Sequence, residues 1–233
     1  VDWVGIYFFW NFKVNGGFFF ACMGLFIDNC TALYAAEKMM KCIFWLVAAA
    51  CLPAFFLSAL WLPMPLWLYL IVIISAVPQI VGWILLVRIL VKQKEKLLAS
   101  LTIHAKWLLT LSALALTVKL ILQLGSTIPA LSTLAYGYRP IVIAYLHLIL
   151  LGVFTLFLLG YIMNENMLPL NRKLILGIIV FTSGILFNEL LLLIQGVAAI
   201  SYVPIPFINE LLLLAAAILF TGMLFMNSGI KKQ

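Results

Sequence analysis

The sequence has very little charge and few of the side chains that water-soluble enzymes use in catalysis. Only 9% of its 233 residues are Asp, Glu, Lys or Arg, two are histidines, and 67% are hydrophobic. The mean hydropathy is +1.24. A water-soluble domain of this size does not carry so many apolar side chains. The chain is therefore predicted to be an integral membrane protein.

The sequence also lacks the motifs of several enzyme classes. No H-E-x-x-H, G-x-S-x-G, Walker glycine loop or G-x-G-x-x-G pattern occurs, so metalloprotease, serine hydrolase, ATPase and dinucleotide-binding functions have no motif support. The four cysteines form no C-x-x-C pair, and neither a disulfide nor a zinc site is expected. The excess of 14 basic over 7 acidic residues is interpreted as a topology signal, and no nucleic-acid partner is expected.

Apolar runs separated by Pro, Gly and charge clusters predict an all-α bundle of about seven transmembrane helices. The predicted spans lie near 3–27, 41–60, 65–91, 101–123, 140–162, 173–196 and 208–228, within a single transmembrane domain over 1–233. The chain begins with Val1 instead of Met and has neither a basic leader region nor a cleavage site. We therefore interpret it as part of a longer protein that has further helices upstream.

Basic residues in the loops predict the orientation. The loops after spans one, three, five and seven hold Lys38, Lys41, Arg88, Lys92, Lys94, Lys96, Arg172, Lys173, Lys231 and Lys232. The opposite loops hold only Arg139. By the positive-inside rule, the N-terminus is predicted outside and the C-terminus in the cytoplasm. A bacterial inner membrane is the expected location, with lipid, a small solute or proton, and other membrane subunits as expected partners.

Ionisable and amide groups inside the spans are the candidate functional residues, because a charge in hydrocarbon costs about 2.5–3.5 kcal/mol on insertion scales. At about 1.5 Å per residue, His147 and Glu189 are expected roughly 10 Å below the outer surface. The other predicted site residues are Lys119, Arg139 and Glu210 at or above that level, Asn188 beside Glu189, and Lys13 near the middle of span one. Of these residues, His147, Glu189, Lys119, Arg139 and Glu210 predict a polar pocket in the outer half of the bilayer. The alternative is that they are rim residues, snorkelling lysines and helix-packing pairs.

Two stretches carry a family resemblance. They are FWNFKVNGGF at 9–18 and RPIVIAYLHLILLG at 139–152. They resemble a family of polytopic bacterial membrane proteins that is distantly similar to the catalytic subunit of haem–copper oxidases and nitric oxide reductases. The resemblance implies haem or copper, with His147 as the one matching ligand position, while Asn11 and Gly17 stand where the family has His and Trp. Two histidines are too few for such a centre, so haem or copper would require residues upstream.

Three functions follow from these observations. The resemblance predicts a redox membrane subunit with His147 beside a haem or metal. Composition predicts a proton-coupled transporter or channel, in which Glu189 and His147 take up protons and Pro78, with its neighbours Gln79 and Gly82, marks the best candidate for a helix interruption. The third function is a structural or assembly subunit.

The spacing of glycines predicts helix packing. Gly17 with Gly24, and Gly177 with Gly184, lie two turns apart and predict close helix contacts.

Overall fold

The computed structural model describes residues 12–30, 33, 36–54, 56 and 65–230. These residues form helices and no β-strand, which confirms the all-α prediction. A π-helix at Phe12–Phe18 leads into α1 (Phe19–Asn29), followed by α2 (Glu37–Cys51), α3 (Leu66–Lys92), α4 (Lys94–Ser100), α5 (Ile103–Gly125) and α6 (Pro129–Gly137). Then come α7 (Arg139–His147), a second π-helix (Leu148–Thr155), α8 (Leu156–Asn164), α9 (Arg172–Ile200) and α10 (Ile208–Ile230).

Five helical stretches of the described chain are long and apolar enough to cross a membrane. They are Leu66–Lys92, Ile103–Gly125, Arg139–Asn164, Arg172–Ile200 and Ile208–Ile230. Their ends agree with five of the predicted spans to within about four residues, the usual precision of such boundaries. The predicted spans 3–27 and 41–60 lie partly outside the described residues, so the count of seven and the orientation stay predictions. The five helices identify an integral membrane protein that contacts the lipid bilayer.

Contacts divide the chain into two compact units. The first comprises the described residues up to Thr102 together with Thr117–Thr133, and the second comprises Ile103–Leu116 and the described residues from Leu134 onward. Helix α5 therefore contributes its first part to the second unit and its last part to the first.

In the first unit, α2 packs against α3. A Cβ atom on Gly82 of α3 would lie 2.9 Å from Val47 Cγ2 of α2, so this position favours the smallest residue. The apolar core beside this contact consists of Cys30, Leu33, Ile43, Leu86 and Ile89. Pro78 lies inside α3 and cannot donate a backbone hydrogen bond. Helix α3 nevertheless runs unbroken over all 27 of its residues. The helix interruption suggested at Pro78 is therefore not present in α3.

In the second unit, glycines allow α9 and α10 to pack backbone to backbone. A Cβ atom on Gly177 would lie 2.6 Å from the Met226 nitrogen, and one on Gly222 would lie 2.6 Å from the Phe181 nitrogen. Gly184 is similarly close to side chains of α10, which confirms the contact predicted for the pair Gly177 and Gly184. Around Gly17 and Gly24, by contrast, no described atom lies within 4 Å of an added Cβ. The apolar core of this unit includes Leu108, Leu156, Leu159, Met163, Leu174, Ile178 and Ile185.

Asn171 joins the two ends of this helical hairpin. Its Oδ1 accepts a hydrogen bond of 2.8 Å from the Leu174 nitrogen and so caps the start of α9. Its Nδ2 donates a hydrogen bond of 2.7 Å to the Gly229 carbonyl near the end of α10. One side chain thereby satisfies a backbone group at each of two helix ends.

Candidate functional site

A carboxyl group, an amide and an imidazole come together in the second unit. Glu189 is half-buried on α9, and its Oε1 accepts a hydrogen bond of 3.4 Å from Nδ2 of the buried Asn188. His147 ends α7, which packs against α9, and it is near enough to Glu189 for the two side chains to interact electrostatically. The structure thus brings together His147, Asn188 and Glu189, three residues that the sequence indicated as site candidates. We call these three residues the Glu189 cluster.

The ring of His147 has a defined orientation. Its Nδ1 lies 2.9 Å from the carbonyl oxygen of Ile143, one turn earlier in the same helix. Because a carbonyl oxygen only accepts hydrogen bonds, Nδ1 carries the ring proton. The Nε2 atom of the neutral ring is then left with its lone pair. It is therefore the atom that can take up a proton or bind a metal ion.

A π-helix begins directly after His147. It covers Leu148–Thr155. Its backbone receives hydrogen bonds from two hydroxyl groups: Thr155 Oγ1 donates to the Leu150 carbonyl over 2.8 Å, and the buried Ser112 Oγ donates to the Val153 carbonyl over 2.7 Å. Single π-turns inside α-helices frequently lie at functional sites. The sequence did not indicate this feature, because a uniformly apolar stretch carries no signal for it.

A second polar cluster lies in the first unit, between α3 and the last part of α5. Its members Lys119, Gln123 and Gln79 are 5%, 6% and 8% exposed. Lys119 Nζ donates to Gln123 Oε1, and Gln123 Nε2 donates to Gln79 Oε1 over 3.0 Å. Among the described residues, no carboxylate pairs with Lys119. The buried ammonium group thus has amides as its hydrogen-bond partners, and the thiol of Cys51 lies within electrostatic range of it. We call Lys119, Gln123 and Gln79 the Lys119 cluster.

Further hydrogen bonds hold α3 to α5 on both sides of the Lys119 cluster. Trp83 Nε1 donates to Thr117 Oγ1 over 3.0 Å, and the Tyr69 hydroxyl donates to the carbonyl of Thr127 in the turn after α5. Lys119 lies six residues before the end of α5, about 9 Å along its axis. The cluster is therefore within two turns of one end of the helix. The sequence indicates Gln79 only as a neighbour of Pro78, and no local pattern links it to Lys119.

The remaining predicted residues are exposed. Lys13 lies on the first π-helix, Arg139 is the first residue of α7, and Glu210 is in the first turn of α10. Within the described chain, neither Arg139 nor Glu210 forms an ion pair. Beside Arg139, the rings of Tyr138 and Tyr202 pack edge to face with centroids 5.9 Å apart. A hydrogen bond with Tyr202 raises the pKa of the Tyr138 phenol.

Of the five residues expected to form one outer pocket, Lys119 belongs to the first unit and the other four to the second. No group of three or more His, Cys, Asp or Glu side chains that could hold a metal ion occurs in the part of the chain that the structure describes. Glu189 and His147 alone do not make up the ligand set of a haem or copper centre.

No protein-family model, curated protein or solved structure matches the chain. The class of the protein therefore follows from its structure alone: its five long apolar helices are those of a multi-pass integral membrane protein.

Proposed function

We propose that the protein is a proton-coupled secondary transporter for a small solute. The observation that carries the proposal is the Glu189 cluster, in which a half-buried carboxyl group lies within electrostatic range of an imidazole whose Nδ1 donates to a carbonyl oxygen. Ionisable residues inside membrane helices commonly mark proton and solute pathways. Glu189 and His147 would be the proton-binding groups.

The π-helix after His147 supplies an element that can respond to protonation. A proton taken up by Glu189 or His147 changes the net charge of the pair by one unit. Since α7 leads directly into the π-helix, this change acts on a segment whose backbone hydrogen bonds already depart from the α-helical pattern. Protonation would shift the balance between two arrangements of this segment, and such a shift is what coupling requires.

The experiment is a proton-flux measurement in proteoliposomes that contain the purified full-length protein and the internal pH indicator pyranine. Inward gradients of sorbitol, choline or chloride are applied in turn, so that a neutral, a cationic and an anionic solute are each tested. At least one gradient is expected to drive proton movement. Glu189→Gln, which removes the titratable group and keeps the shape, is expected to slow this movement at least tenfold.

Glu210→Gln is the matched control, because Glu210 is an exposed carboxylate in the same unit. It is expected to retain the proton flux. Both variants are compared with the unaltered protein by gel filtration and thermal unfolding, which separates loss of function from loss of fold. Transport is refuted if no solute gradient moves protons faster than in protein-free liposomes. The assignment of Glu189 is refuted if Glu189→Gln transports at the unaltered rate.

The second candidate function is the redox subunit implied by the family resemblance. The observation that favours it is the free Nε2 of His147, the orientation that metal-ligating histidines adopt when Nδ1 donates to a carbonyl. Any haem or copper there requires further ligands from outside the described residues. A reduced-minus-oxidised absorbance spectrum with metal analysis of the full-length protein tests this function. Haem bands or stoichiometric metal would support it, and a colourless, metal-free protein would exclude it.

A further inference from the structure

We propose that the Lys119 cluster binds a small monovalent anion. This inference rests on the proposed transport function, since it names the class of solute that would be carried. It concerns residues of the first unit, whereas the proton-binding groups lie in the second.

Hydrogen-bond chemistry fixes the direction of the whole cluster. An ammonium group only donates, so Gln123 must turn its amide oxygen toward Lys119. The NH₂ group of Gln123 then donates to Gln79, which accepts the hydrogen bond with its amide oxygen. The NH₂ group of Gln79 is thereby left at the far end of the cluster. Both ends of the cluster therefore present donors, and a ligand that binds at the Lys119 end must supply an acceptor.

The positive charge of Lys119 favours an anion over a neutral hydrogen-bond acceptor as the ligand. Lys119 is only 5% exposed, and the structure shows no carboxylate beside it within the described residues. A buried ammonium without a counter-ion is costly in a membrane. A ligand with one negative charge neutralises it, whereas a neutral ligand leaves the charge uncompensated and a dianion reverses its sign. A single ammonium group suits a compact monovalent ion such as a halide or a small carboxylate.

Such an anion would enter from the end of α5 that is nearest to Lys119. Lys119 is about 9 Å from the end of α5, and the turn at Ser126–Ile128 follows that end. Hydrogen bonds from Tyr69 and Trp83 hold α3 against α5 on both sides of the cluster. The donors are thus held in place before any ligand arrives, which lowers the free-energy cost of binding.

The test measures thermal unfolding of the full chain in detergent, in gluconate buffer, with increasing chloride or formate. Binding to the folded state raises the unfolding midpoint in a concentration-dependent manner. We expect such a rise for the unaltered protein and none for Lys119→Met, which keeps the side-chain length but removes the charge. Lys119→Met is expected to fold, because it also removes the cost of burying an ammonium. Gln79→Glu brings a negative charge into the cluster and is expected to weaken anion affinity at least tenfold.

Lys94→Met is the control for general salt effects, because Lys94 is exposed on α4 in the same unit. It should respond to anions as the unaltered protein does. A response to chloride alone identifies an inorganic anion, and one to formate alone identifies a carboxylate. If neither anion raises the midpoint of the unaltered protein, or if Lys119→Met responds equally, the inference is wrong. Anion binding without proton flux in liposomes would support the anion site and refute the transporter. Proton flux without anion binding would support the transporter and refute the anion site.

Discussion

The contact between α9 and α10 predicts a large effect from one added methyl group. In Gly222→Ala, the new Cβ would lie 2.6 Å from the Phe181 nitrogen, short by 0.8 Å of the 3.4 Å at which ordinary contacts begin. The atom it meets belongs to the backbone, so no rotamer change can relieve the overlap. Gly177 and Gly229 approach the opposite helix almost as closely, which leaves the two helices little freedom to tilt. The substitution must therefore push α10 away from α9.

The magnitude follows from two opposing effects. Overpacking of a close contact costs about 1–3 kcal/mol, and the upper half of this range applies where backbone must move. Replacing Gly by Ala within a helix stabilises the folded state by about 0.8–1 kcal/mol, because Ala has the higher helix propensity. The expected net loss is about 1–2 kcal/mol, equivalent to a fall of about 2–8 °C in the unfolding midpoint for a chain of this size.

The assay is thermal unfolding in detergent followed by circular dichroism. Gly24→Ala is the matched control, because no described atom lies within 4 Å of a Cβ added at that position of α1. It should keep the midpoint or raise it slightly. If Gly222→Ala unfolds at or above the temperature of Gly24→Ala, the close packing of α9 on α10 is refuted.

Two hydrogen-bonding side chains, those of Asn171 and Thr117, allow further predictions in the same assay. Asn171→Ala removes both the cap on Leu174 and the bond to the Gly229 carbonyl, and it is expected to cost about 1–2 kcal/mol. Asn171→Asp keeps the acceptor for the Leu174 nitrogen and should lose less stability than Asn171→Ala. If Asn171→Ala and Asn171→Asp are equally stable, the side chain does not both cap α9 and bind the Gly229 carbonyl. Thr117→Val leaves the indole N–H of Trp83 without its acceptor and should cost about 1 kcal/mol and change tryptophan fluorescence. Thr117→Ser should restore both properties, and failure to do so would argue against this hydrogen bond.

The sequence indicates to different extents that the residues of each cluster lie near one another. Glu189 and His147 were placed at similar depths from helix rise alone, and the structure brings them within electrostatic range of each other. The partner of Lys119 was not anticipated. Gln123 is one turn away on the same helix, but Gln79 is 44 residues away in the chain. Such a contact depends on which faces of α3 and α5 meet, and the low charge and even apolarity of these helices give no indication of it.

The sequence by itself determined the class of the protein and the ends of five helices, because apolar runs of membrane-spanning length must satisfy their backbone hydrogen bonds internally. The tertiary structure alone decided which glycines lie at an interface. Gly17 and Gly24 have the same spacing as Gly177 and Gly184, yet among the described residues only the second pair lies close to another helix. The tertiary structure also decided where a helix departs from α geometry, since Leu148–Thr155 is as apolar as its surroundings. Both features depend on partners distant in the chain, and local sequence periodicity does not encode those partners.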